Sequence, residues 1–230
     1  MIDHSSSTRP PRLPANVRGG MRPAGDDLRE ARLMSLEREG SYDSLVVEGQ
    51  NLPLDSSLDW SVASFLDCDL HNLSLGSLMM DHASMTTSAV GSCGVVRLSL
   101  AESSVFDCSF SGSRFGSLEA AGSVLRSVLF EGCRIGYLNL REATWRDVSF
   151  RDCRIETFDA IGASLTRIDF PVCTIGSLSL QHAKNTDVDL RQSTIRGIVG
   201  AEHLAGTTMD IDQIADLAPA FAASIGIRTQ

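Results

Sequence analysis

Six cysteines, five histidines and 29 acidic residues in a chain of 230 are material for metal binding, disulfides or nucleophilic catalysis, and their spacing decides among these. Cys68, Cys93, Cys108, Cys133, Cys153 and Cys173 are all separated by multiples of five. None forms a C-x-x-C pair, and no histidine-rich run completes a zinc ligand set. Cysteine in a periodic place acts as a compact apolar residue, so buried reduced thiols are expected, without metal or cofactor. His82 and His182 stand 100 residues apart, His71 and His203 are isolated, and His4 lies in the tail. With no glycine-rich phosphate loop or nucleophile elbow, no catalytic residue is assigned. Arg114, Arg134 and Arg154 recur every 20 residues, with Arg151 and Arg191 on a nearby column. Stacked guanidiniums suit an anion or an acidic partner. Asp67, Asp107, Asp147 and Asp187 form an acidic column elsewhere.

The element that positions these residues shows in a period of five. From Trp60 to Ile195 in steps of five, 27 of 28 residues are apolar, Asn185 being the exception. The residue two before each is uncharged and often small, as at Ala63, Cys68, Ser88, Cys133 and Cys153. All 28 charged residues between Leu58 and Arg196 fall in the other three columns. Two positions in five therefore face inward, which fits neither a helix of period 3.6 nor a flat strand of period 2. Such a chain must turn a corner every five residues. Ten of the 11 glycines from Trp60 to Gly197 stand one or two places after the central residue, where they are expected to supply the positive φ of type II turns. Side-chain sizes repeat every 20 residues, as at Cys133–Ile135, Cys153–Ile155 and Cys173–Ile175, so four corners close one coil and seven coils stack.

Stretches such as Val188-Asp189-Leu190-Arg191-Gln192, Val148-Ser149-Phe150-Arg151-Asp152 and Leu138-Asn139-Leu140-Arg141-Glu142 resemble the motif of the pentapeptide-repeat family, over about 140 residues. The resemblance implies an all-β fold, a right-handed quadrilateral parallel β-helix of about seven coils. Large residues at Leu78, Leu138, Phe158 and Ile168, and small ones at Ala120 and Ala160, depart from the motif while conserving volume between the inward columns.

Four segments are expected. Residues 1–25, rich in Ser, Pro, Arg and Gly, read as a disordered tail; 26–57 as a short helix over Asp26–Glu39 and an irregular opening coil; 58–199 as the repeat; and 200–230 as a C-terminal α-helical cap. The cap begins at a capping box, Asp210 to Gln213, and carries Ile211, Ile214, Leu217, Phe221 and Ile225, with Pro219 kinking or dividing it. These apolar residues either plug the rod or join two rods as a homodimer.

No stretch reads as a membrane span or export signal, so a cytoplasmic location is expected. Its net charge of −9 argues against direct nucleic-acid binding. The reading is a non-enzymatic interaction or scaffold module that meets an unidentified protein partner through its outer surface, using the arginine columns or apolar patches at Leu66, Phe106, Met79, Val124 and Leu129. The family's quinolone-resistance branch implies an alternative, a DNA mimic that binds DNA gyrase. Charge weighs against it: a 33 Å rod length of B-DNA carries roughly 20 negative charges, whereas residues 58–196 carry 16 acidic and 12 basic residues.

Overall fold

The computed structural model describes residues 8–13, 15–18 and 29–228. From Ser57 to Val199 its strands pair in parallel at an offset of 20, as in Phe115 with Ile135, Leu125 with Trp145 and Ile155 with Ile175. Each coil has four walls. Phe65 to Asn185 centre the first, Leu70 to Leu190 the second, Leu75 to Ile195 the third, and Trp60 to Leu180 the fourth. The first and second walls share one sheet, and the third runs on into the start of the fourth in another, after which a turn closes each coil. The solenoid has about eight coils, one more than the unbroken repeat gives, because the opening stretch completes a rung: Tyr42 pairs with Phe65 and Val47 with Leu70, 23 positions on. By Leu58 and Leu78 the offset is 20. The three extra residues are absorbed where Ser56 donates its N–H to the Pro53 carbonyl at 2.9 Å.

Like side chains pile up inside. Phe110, Phe130, Phe150 and Phe170 stack with ring centroids 4.8, 4.7 and 5.2 Å apart and planes within 12° of parallel. That spacing is the separation of neighbouring strands, so each ring rests on the one beneath. Trp145 lies beside this column, and its Nε1–H donates to Ser123 Oγ at 3.0 Å. Cys68, Ser88 and Cys108 stack in one inward column and link the coils to each other: Cys68 N–H donates to Ser88 Oγ at 3.0 Å, and Ser88 N–H to Cys108 Sγ at 3.4 Å.

The corners differ from the expectation that glycine supplies their positive φ. Polar residues carry it at most corners, among them His82, Glu102, Asp107, Asp147 and Arg167, whereas only Gly112, Gly122, Gly132 and Gly162 of the ten corner glycines do. Turns of type II do form, as where Ser103 N–H meets the Leu100 carbonyl at 3.2 Å around Glu102 at φ 54. At the third-wall corner glycine has another reason. A Cβ on Gly136 would lie 2.5 Å from the Gly116 carbonyl oxygen, and one on Gly176 2.4 Å from that of Glu156.

Both ends are closed. No helix covers Asp26–Glu39: Arg29–Glu30 is a strand paired with Leu45 and Val46, Leu33–Ser35 is one 3-10 turn, and residues 26–28 lie outside the described residues. Leu33 and Leu36 are buried over the first coil, while Met34 between them is exposed. Gln50 ties this end, accepting from Leu33 N–H at 2.7 Å and donating to the Ala31 carbonyl at 3.0 Å. At the other end Pro219 divides the cap into Ile211–Asp216 and Ala218–Ser224. Gln213 Oε1 accepts from Asp210 N–H, and its Nε2 donates to the Leu190 and Ser193 carbonyls at 2.7 and 2.6 Å. The interior Asn185 donates Nδ2–H to the His203 carbonyl at 3.0 Å. Its Oδ1 is buried without a hydrogen-bond partner among the described residues.

Candidate functional site

With the interior filled by apolar side chains, polar chemistry is confined to the outer walls. Arg114, Arg134 and Arg154 are in direct register on the third wall, each one place before a buried central residue and so pointing outward. With Gly116, Gly136 and Glu156 they line an open groove of about 390 Å³. The bare glycines lower its floor. Arg154 Nε meets Glu156 Oε1 at 2.7 Å. Arg114 and Arg134 have no ion-pair partner among the described residues, so their guanidiniums face solvent as donors.

The other two arginines stand apart from this group. Arg191 grips Asp189 through two bonds of 2.9 and 2.6 Å. Arg151 lies on the second wall, in register with Glu131. Near Arg191, Asp169, Asp189 and Asp210 share a trough of about 410 Å³, in which burial pushes the Asp169 carboxyl up, opposed by Ser149 and Arg151.

The acidic column is interrupted. Asp147 is bound two-pronged by Arg167 on the next rung, at 2.6 and 2.7 Å, with only 6% and 13% of the two side chains exposed. Burial alone would raise the Asp147 carboxyl; hydrogen bonds from Arg167 and the Arg12 backbone, with the charges of Arg167 and Arg146, outweigh it and hold the group below its usual range.

All six cysteines are reduced and buried. Cys133, Cys153 and Cys173 donate S–H toward the Phe110, Phe130 and Phe150 carbonyls at 3.3–3.4 Å, and burial pushes the Cys108 thiol up to about 12. Among the described residues no group of three or more His, Cys, Asp or Glu could hold a metal ion, and no helix is long and apolar enough to cross a membrane. His203 is not isolated: its ring lies 4.6 Å from that of His182, because the turn after Gly200 folds back over the last coil.

The apolar candidates divide. Leu66 and Val124 are exposed. In the cap Leu217 and Phe221 pack on the core, whereas Ile211 and Ile225 are 76% and 72% exposed and Ile214 is also outside. Leu129 is fully buried, under Leu13 and Val17. Within the segment read as a disordered tail, residues 8–13 and 15–18 thus have a defined place on the rod. Nothing at sequence level signals this contact except one large apolar residue in an outward column.

A period of five, four walls and stacked 20-residue coils define the class: the fold is that of a pentapeptide-repeat β-solenoid. No protein-family model and no curated protein matches the chain. Among solved structures it is similar to full-length QnrB1, a plasmid-mediated fluoroquinolone resistance protein, at 13% identity over 87% of this chain and 100% of that one, with a TM-score of 0.40. Two trypsin-treated QnrB1 variants share 17% and 15% identity, cover 83% and 90% of this chain and 100% of their own, and have TM-scores of 0.38 and 0.36.

Proposed function

We propose that the protein is a non-catalytic cytoplasmic interaction module whose third wall receives an acidic segment of a protein partner. The observation that carries this is the pair of unsatisfied guanidiniums, Arg114 and Arg134, held in register above a glycine-floored groove. Parallel pairing fixes their backbones, so their spacing is preset. A fluorescent oligoglutamate peptide tests it. Binding is expected at low salt, weakening as salt rises, and falling at least tenfold in Arg114→Ala/Arg134→Ala. Equal binding by that variant would remove the proposal.

Gyrase mimicry draws less support from the charge layout. The acidic corner column reads Asp67, Thr87, Asp107, Ser127, Asp147, Arg167 and Asp187, and Asp147 is neutralised by Arg167, so no wall has the unbroken charge of a duplex. The expected outcome of a supercoiling assay at micromolar protein is no inhibition. Exposed Ile211, Ile214 and Ile225 favour self-association of two rods at the cap.

A further inference from the structure

The second wall already carries a peptide, the chain's own. Residues 8–13 and 15–18 run against the coil order: Thr8 Oγ1 donates to Thr208 Oγ1 at 2.6 Å, Arg12 N–H donates to Asp147 Oδ1 at 2.8 Å, and Leu13 and Val17 close over Leu129. Between these points Pro10, Pro11 and Leu13 lie along a groove of about 260 Å³ with Ser149, Arg151 and Asp169.

Three features make this a recognition surface. The Leu13, Val17 and Leu129 cluster is separate from the core, so the coils close without it. Leu129 is the one large apolar side chain in its outward column, whose other members are Asp69, Ala89, Ser109, Ser149, Asp169 and Asp189. An interior has no use for it there. The Pro-Pro pair favours an extended backbone and has no N–H to leave unpaired, so the wall supplies two acceptors, Thr208 Oγ1 and Asp147, and one apolar seat. Extended proline-containing peptides are recognised by that combination.

We propose that the second wall, from Leu129 to Asp189, is a docking site for a partner's extended Pro-Pro-x-Leu segment, and that residues 8–13 with 15–18 are a resident ligand occupying it in cis. The site is independent of the arginine groove. A tethered occupant acts at an effective concentration in the millimolar range, so a partner's segment engages the wall only when the resident one is released.

The test uses a fluorescein-labelled peptide of residues 6–20 and the full-length protein. Leu13→Asp/Val17→Asp releases the resident segment without touching the coils, which circular dichroism checks. The peptide is expected to bind this variant at least tenfold more tightly than the wild type. A peptide carrying Leu13→Asp is expected to lose at least tenfold on the same variant, and Leu129→Asp in the released background to abolish binding. Equal binding to wild type and variant, or binding to neither, overturns the proposal, as does full affinity of the Leu13→Asp peptide.

Discussion

Replacing Asp147 by Asn removes one charge and leaves the shape of the corner intact. Its partner Arg167 is 13% exposed, and breaking a buried pair by removing one member costs about 3–5 kcal/mol, because the surviving charge is left without compensation. Partial exposure of the guanidinium puts the expected loss at the lower end, about 3 kcal/mol at pH 7. The pH dependence gives a second signature. The folded carboxyl lies below its ordinary value of 3.8, so its contribution is present above that value and is lost as pH falls through the folded one. Urea unfolding of wild type and Asp147→Asn between pH 7 and pH 2 should therefore show a gap that is full at neutral pH and closes in acid. A gap under about 1 kcal/mol at pH 7, or one of constant size down to pH 2, would refute a stabilising pair.

Phe150→Ala, in the middle of the stacked column, should destabilise by about 3–5 kcal/mol, and a smaller loss in calorimetry would show that neighbouring coils collapse into the space. Val172 holds φ 61 with a β-branched side chain that is 69% exposed. Val172→Gly should raise stability by about 1 kcal/mol, read as a higher urea midpoint. In sedimentation, Ile211→Asp/Ile225→Asp should shift the protein toward monomer while leaving the melt unchanged; an unaltered distribution would remove the cap as a self-contact.

Periodicity exposed the interior because burial acts on every rung alike: Phe130, Phe150 and Phe170 had to be large and apolar for the coils to touch. The corners were harder to read. Glycine permits a positive φ, but it also permits close backbone approach, and Gly116, Gly136 and Gly176 serve the second purpose. Composition does not separate the two. Residues 26–39 read as helical from apolar spacing, but pairing of Arg29–Glu30 with the first coil is a non-local contact and overrides it. The arginine row on the third wall followed from spacing alone, since residues 20 apart are neighbours. The same spacing sets Arg167 one coil beyond Asp147, but their two-pronged pairing did not follow from it, because that depends on the guanidinium lying along the surface.

The glutamines at the two ends fix how long the object is. A parallel stack of identical rungs has no intrinsic reason to stop, and an open terminal edge would template another molecule, then another, into a filament. Gln50 fastens the segment that covers the first coil, through Leu33 and Ala31, and Gln213 takes the Leu190 and Ser193 carbonyls of the last one. A discrete particle, rather than a fibre, follows from covering both terminal edges.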